Sequence, residues 1–277
     1  MTLPRLTVIT PSLNQAQFLE RTLRSVLDQE YPDLEYIVMD GGSTDGSVDI
    51  LQRYDDRLSH WVSEPDKGQS WAINRGIERA TGDVIAYINS DDYYLPGAFA
   101  AALPFFEDPA VRWVAGASEY REEDGTLDFL WLPTQPVGSR PKWVRNTWYV
   151  PQASSFWRRD VFEEFGLLRD DLNFNFDTEF GLRLALGGLL PLTFGRPLAV
   201  RYMHSEAKSA NPEDFAREWP AVAKELRRRL TRRERARDHA ARLHHYLFRN
   251  YRIWRIRKRL GLLELRERWF GGKFARR

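Results

Sequence analysis

Val84-Ile85-Ala86-Tyr87-Ile88-Asn89-Ser90-Asp91-Asp92 is the stretch that decides how this chain reads. Its first five residues are apolar or aromatic, the composition of a strand buried on both faces. The strand then stops on a polar cluster that ends in two adjacent carboxylates. Neighbouring carboxylates repel and raise each other's proton affinity, so a fold tolerates them where a cation or cationic ligand lies between. The plainer alternative is a surface turn, or a cap for a helix opened by Pro96. The segments on either side weigh against it.

Upstream, Leu6 to Thr10 reads as a first strand closed by Pro11-Ser12-Leu13-Asn14, followed by Phe18, Leu19, Thr22, Leu23, Val26 and Leu27 at amphipathic-helix spacing. Leu34 to Met39 predicts a second strand ending at Asp40. The turn Gly41-Gly42-Ser43-Thr44-Asp45-Gly46 then leads into a helix carrying Val48, Ile50 and Leu51. A third strand, Leu58 to Val62, stops at Ser63-Glu64-Pro65-Asp66, before a helix bearing Trp71, Ile73, Ile77 and Ala80. Strand and helix thus alternate four times with short connections, the pattern of a parallel α/β sheet with right-handed crossovers. Ser12 and Asn14, Asp40, Glu64 and Asp66, and Asn89 to Asp92 each follow the carboxyl end of a strand, where open α/β sheets bind ligands.

Composition narrows the chemistry. With 277 residues, 43% of them hydrophobic, the chain can build one large domain or two modest ones. It has no cysteine, which excludes disulfides and thiolate metal sites, and its five histidines form no His-x-x-x-His pair. Residues 1 to 10 do not read as a secretory leader, and no apolar run approaches the roughly 20 residues that span a bilayer. No Gly-x-Gly-x-x-Gly follows the first strand, and no Gly-x-x-x-x-Gly-Lys loop is present, so neither a dinucleotide nor a P-loop site is expected. Acids on the rim without a glycine cradle point to a nucleoside diphosphate held through a divalent ion.

The ordered set Val8-Ile9-Thr10-Pro11-Ser12-Leu13-Asn14, Asp40-Gly41-Gly42-Ser43-Thr44-Asp45 and Asn89-Ser90-Asp91-Asp92 resembles the family 2 inverting glycosyltransferases of the GT-A fold, over about residues 5 to 210. The resemblance implies a Rossmann-like, mostly parallel sheet with helices on both faces. It implies that Thr10, Pro11 and Asn14 line the nucleotide pocket, that Asp40 accepts a hydrogen bond from the base, and that Asp66 lies near ribose or base. Asn89 and Ser90 would face the nucleotide sugar, and Asp91 and Asp92 would hold Mn2+ or Mg2+ on the diphosphate. Asn89 departs from the family's usual acid there and adds no charge, which leaves the metal to Asp91.

Further along, Ala98 to Phe106 predicts a helix, and Trp113 to Ala117 a strand. A hairpin turns at Glu123-Asp124-Gly125 into Leu127 to Trp131. Pro133 to Pro151, with Trp143, Trp148 and Tyr149, reads either as a lid or acceptor platform or as a packed crossover. Asn173 to Glu179 is a second acidic cluster at a helix start. Capping would explain it, but the resemblance implies that Asp177 is the catalytic base, with Glu179 in reserve. Leu198 to Met203 predicts a strand running into His204 and Lys208. His204 reads as a metal ligand or an ordinary surface histidine, and Lys208 as a neutraliser of leaving-group charge.

The net charge of +2 hides a division: residues 211–277 carry 21 Lys and Arg against 8 Asp and Glu, and residues 1–210 carry 20 against 31. The expected domains are therefore a glycosyltransferase unit over 1–210, with a nucleotide-sugar half at 1–105 and an acceptor half at 106–210, and a basic amphipathic helical tail over 211–277. The tail has three readings: helices on an anionic membrane surface, a cap packed on the domain, or a nucleic-acid arm. The membrane reading suits a saccharide or lipid-linked saccharide acceptor and a cytoplasmic enzyme at the inner face of the cell membrane, acting in polysaccharide or glycolipid synthesis, without nucleic acid as a partner. Rival activities are a sugar-nucleotide nucleotidyltransferase, which would want a glycine-rich first loop, and a non-catalytic binder.

Overall fold

The computed structural model describes residues 3–133, 150–208, 212–233 and 235–236. The aromatic loop residues 134–149 and the distal tail 237–277 lie outside these. The first half follows the predicted alternation: β1 (Leu6–Ser12), α1 (Ala16–Leu27), β2 (Leu34–Asp40), α2 (Ser47–Arg53), β3 (His60–Ser63), α3 (Gln69–Arg79) and β4 (Val84–Tyr87). The chain continues through β5 (Tyr93–Tyr94), α4 (Ala98–Ala102), β6 (Trp113–Arg121), β7 (Leu127–Trp131), β8 (Ser155–Arg158), α5 (Asp160–Phe165), α6 (Phe176–Leu186), β9 (Leu192–Tyr202) and α7 (Pro212–Arg228).

One sheet runs through both halves in the order β3-β2-β1-β4-β8-β6-β9-β5, with β7 paired to β6. The pairs among β3, β2, β1 and β4 are parallel, whereas β8 joins β4 and β6 antiparallel. β9 runs parallel to β6 and takes β5 along its other side. The split at residue 105 is therefore a division of sequence within one continuous sheet.

β1 is buried along its whole length because both faces are covered. Leu6 and Val8 pack with Leu19 and Leu23 of α1 on one side, while Ile9 packs with Ile73 and Ile77 of α3 on the other. α3 lies so close that a Cβ on Gly76 would meet Ile9 Cγ2 at 2.5 Å, which fixes the height of the helix over the strand.

α7, which lies beyond the boundary expected at 210/211, packs back on the preceding fold. Val222, Ala223, Leu226 and Leu230 are buried, and Val222, Leu226 and Leu230 belong to the same core as Phe180 and Leu184 of α6. This part of the basic tail is a cap packed on the domain, and its apolar face is used up there. The helix runs unbroken through Pro220. An interior proline costs about 3 kcal/mol, which the burial of this face offsets. Among the described residues no helix is long and apolar enough to cross a membrane.

Candidate active site

The rim begins where β1 and β2 end. Thr10 and Pro11 are buried, and the Thr10 hydroxyl is hydrogen-bonded to the Tyr36 hydroxyl at 3.0 Å. Both side chains thus sit at the base of the rim. Asn14 is exposed, in the left-handed region at φ 52°, and its Oδ1 accepts the Thr44 N–H at 2.9 Å, which ties the β1 turn to the β2 turn. Asp40 is buried, and its oxygens accept from the N–H groups of Gly42 and Ser43 and from the hydroxyls of Ser43 and Ser63 at 2.6–3.2 Å. So many donors make it the organiser of the glycine turn. Asp66 leans over that turn: a Cβ on Gly41 would meet its Oδ2 at 2.8 Å, and its Oδ1 accepts the Gly68 N–H at 2.7 Å.

The acid turn after β4 is braced from below. Thr22 Oγ1 of α1 lies 2.8 Å from the Ser90 carbonyl and 2.6 Å from that of Asp92. Arg21 donates to the Asp91 carbonyl at 3.0 Å, with its guanidinium over the rings of Tyr93 and Tyr202. The two carboxylates then part company. Asp91 is half-buried, and its Oδ2 stands 3.2 Å from His204 Nε2. Asp92 is 3% exposed, accepts the Tyr202 N–H at 3.1 Å and the Asn89 amide at 3.3 Å, and is pushed up to about 7 by burial, with the Asp91 charge adding to the effect. Asp92 is thus turned into the fold as a strut between this turn and β9. The hydrogen bond to Asp91 raises the His204 pKa against the opposing effect of burial. Among the described residues no three His, Cys, Asp or Glu side chains cluster as a metal cage. The Asp91–His204 pair still fits an ion such as Mg2+ or Mn2+ that takes few protein ligands and completes its shell with water and phosphate oxygens.

Asp177 is the second residue of α6, in the first turn. It borders a recess of about 30 Å³, room for one or two waters, lined by Tyr87, Trp113, Gln152, Ser155, Trp157 and Thr178 among others. Oδ1 accepts the Thr178 N–H at 2.6 Å, and Oδ2 accepts no hydrogen bond from the described residues. Burial raises the Asp177 pKa, against the opposing charge of Arg201. Glu179 points the other way: it is 1% exposed, and its carboxylate holds Arg183 at 3.0–3.2 Å. Glu179 is a structural ion pair, so only Asp177 of the two faces the recess.

Lys208 connects the two sides. Its ammonium donates to Gln69 Oε1 at 3.2 Å, and Gln69 donates to Asn89 Oδ1 at 2.7 Å. It stands 5.2 Å from the ring centre of Phe174 and 5.9 Å from that of Phe176. Burial lowers its pKa, while the charges of Glu218, Asp177 and Asp66 pull it back up. Arg201 likewise feels both Asp92 and Asp177. Sequence reading passed over Arg21, Gln69, Arg201 and Glu218. Only Gln69 left a signal, a polar residue opening α3 three positions after Asp66.

Residues 7–166 match the family model described as Glycosyl transferase family 2. The chain belongs to this family. Among family 2 relatives, the putative teichuronic acid biosynthesis glycosyltransferase TuaG of Bacillus subtilis is 36% identical over 126 residues, 44% of this chain and 50% of its own length. The chain thus matches half of that relative. The uncharacterized glycosyltransferase Rv1514c of Mycobacterium tuberculosis is 33% identical over 66% of this chain and 70% of its own length. Among solved structures, S. aureus TarS 1-349 in complex with UDP-GlcNAc superposes with a TM-score of 0.61 at 18% identity, covering 80% of this chain and 66% of that one. The mannosyltransferase PcManGT from Pyrobaculum calidifontis, with GDP-Man and Mn2+, superposes at 0.58 and 20% identity, covering 92% and 84%. These likenesses carry the fold: the family 2 chain has the GT-A architecture expected from its motifs.

Proposed function

We propose that the protein moves a sugar from a nucleoside diphosphate sugar onto an acceptor hydroxyl with inversion at the anomeric carbon. The observation that carries this is the placement of Asp177 on a recess at the rim, with one carboxylate oxygen that accepts no hydrogen bond from the described residues and its basicity raised by burial. Asp177 Oδ2 takes the proton from the acceptor hydroxyl as that oxygen attacks the anomeric carbon, and the nucleoside diphosphate leaves from the opposite face. No covalent intermediate is required. Asp91 with His204 would hold a divalent ion, which when bound supplies positive charge to the diphosphate. Lys208 adds charge on the leaving-group side, the β1 and β2 turns with Asp66 receive the nucleoside, and Asn89 and Ser90 border the sugar.

The acceptor class we favour is a saccharide or lipid-linked saccharide of the cell envelope. One relative is a GalNAc(5)-diNAcBac-PP-undecaprenol beta-1,3-glucosyltransferase of Campylobacter jejuni, 32% identical over 36% of this chain and 34% of its own length. Contact with an anionic membrane surface would run through residues 213–277, where arginines are interspersed with Leu243, Leu247, Trp254, Leu260 and Trp269 in the distal part.

A thermal-shift screen of UDP, GDP, dTDP and CDP with and without Mn2+ tests the site, followed by nucleoside diphosphate release from the matching sugar donor. Stabilisation by one nucleotide that requires the ion and vanishes in Asp91→Ala is the expected result. Absence of any shift across the panel would sink the reading.

A further inference from the structure

The loop entering α6, Asn173-Phe174-Asn175, is held from two directions. Just before it, α3 fixes residues 168–172: Asn74 accepts the Leu168 N–H at 3.0 Å and donates to the Leu168 carbonyl at 2.8 Å, and Ser70 donates to the Leu172 carbonyl at 3.1 Å. The next three backbone N–H groups converge on one side chain of α7. Glu218 accepts from Asn173 at 2.7 Å, from Phe174 at 3.1 Å and from Asn175 at 2.7 Å, and also takes the Asn175 side-chain amide at 2.9 Å. Burial alone would raise the Glu218 pKa, but these four donors outweigh it and hold the carboxyl below its ordinary range. Phe215 completes the contact, its ring edge-on to Phe174 at 5.1 Å and its carbonyl accepting from Asn175 at 3.2 Å.

The held residues lie immediately before the proposed base and beside its cationic neighbour. Asn175 immediately precedes α6, Asp177 is two residues on, and the rings of Phe174 and Phe176 flank Lys208. A continuous path therefore runs from Glu218 through the loop to Asp177, and through Lys208 and Gln69 to Asn89 of the acid turn. Glu218 lies 52 residues beyond the end of the family match at 166.

We infer that Glu218 is a positioning residue: its carboxylate sets where α6 begins, and so fixes Asp177 against the acceptor and Lys208 against the donor. The inference rests on the reading of Asp177 as base. A displacement of about 1 Å at a reacting group is enough to cost ~100-fold in rate, and the loop has no second anchor among the described residues for these three N–H groups.

The test uses Glu218→Gln and Glu218→Asp in the full chain. Gln keeps the shape, offers one acceptor oxygen, and turns an NH2 group toward N–H donors, so part of the set loses its acceptor. Nucleoside diphosphate release that Asp177→Asn abolishes is measured with UDP-GlcNAc and GDP-mannose in the presence of Mn2+, alongside amide exchange at 173–175. The expected result for Glu218→Gln is a kcat lower by ~10–100-fold with donor KM within about two-fold, and faster exchange at the three amides. Glu218→Asp, with both oxygens kept, recovers part of the rate and supplies the measurement if Glu218→Gln does not fold. Leu103→Ala, in the hydrophobic cluster that does not include Phe176 or the α7 residues, lowers stability while leaving kcat intact. Wild-type kcat in Glu218→Gln, or an equal loss in Leu103→Ala, overturns the assignment. If the wild-type chain turns over neither these donors nor a sugar donor of any nucleotide that stabilises it in the thermal-shift screen, the proposed transfer fails instead, and unchanged exchange at 173–175 in Glu218→Gln still refutes the clasp by itself.

Discussion

Glu179→Gln and Asp177→Asn, two residues apart on α6, should have opposite effects. Glu179 is sealed in the core with Arg183, whose side chain is 8% exposed. Removing one partner of a buried pair strands the other charge, at about 3–5 kcal/mol. Arg183 keeps the carbonyls of Phe165, Gly166 and Leu167, which places the loss near the lower figure, about 3 kcal/mol, or roughly 6–12 °C in Tm for a domain of this size. Turnover measured well below that Tm should be close to normal. Asp177→Asn removes an ionisable group that burial disfavours in its charged form. Its stability at neutral pH should equal or exceed that of the wild type, while turnover falls by about 10²–10⁴-fold, the usual worth of a general base. Urea unfolding and nucleoside diphosphate release on both variants check this. Near-normal transfer by Asp177→Asn, or lost transfer in a still-folded Glu179→Gln, would refute the assignment of base and ion pair.

Three further expectations follow from the same geometry. Because burial raises the Asp177 pKa, the acid limb of kcat should lie above the ordinary carboxylate range. Wild-type stability relative to Asp177→Asn should fall as pH rises through that pKa and converge with it below the unfolded-state value; pH-rate profiles and urea midpoints read the two effects. Leu226→Ala, in the face of α7 that joins the core, should cost about 2–5 kcal/mol by chemical denaturation, whereas a free tail would tolerate it. Gly41→Ala forces the Asp66 carboxylate away from the turn; it should cost about 1 kcal/mol of stability and weaken nucleotide binding by calorimetry.

The parallel half of the sheet was legible because its strands are short apolar runs and its helices keep a regular apolar spacing. The acid turn was legible because polar residues at the end of a buried strand have few reasons to be there. The roles within that turn were not. Nothing in adjacent Asp91 and Asp92 says that one faces out to His204 while the other turns inward to the Tyr202 amide, since that depends on a strand over 100 residues away. β5 escaped because two residues are too few for any pattern to register, and β8 because Ser155-Phe156-Trp157-Arg158 holds only two apolar residues between polar ones. In the tail, Val222, Leu226 and Leu230 stand at helical spacing, but dense arginine around them left open whether that face meets a membrane or the domain, and the fold turns it inward. Glu218 read as one more acid on a charged helix, and its purpose exists only once residues 43 to 45 positions apart are brought together.

The strut from Asp92 to Tyr202 has a consequence for how the molecule comes into being. β5 pairs with β9, so the acid turn is strung between β4 and a strand made more than 100 residues later. Contacts of such separation form late, after the loop-closure entropy of the intervening chain has been met. A growing chain that has emerged only as far as α6 already has β1 to β4 and their helices, but the acid turn still lacks its far anchor. Competence to hold a donor should therefore arrive only once β9 has been made and docks.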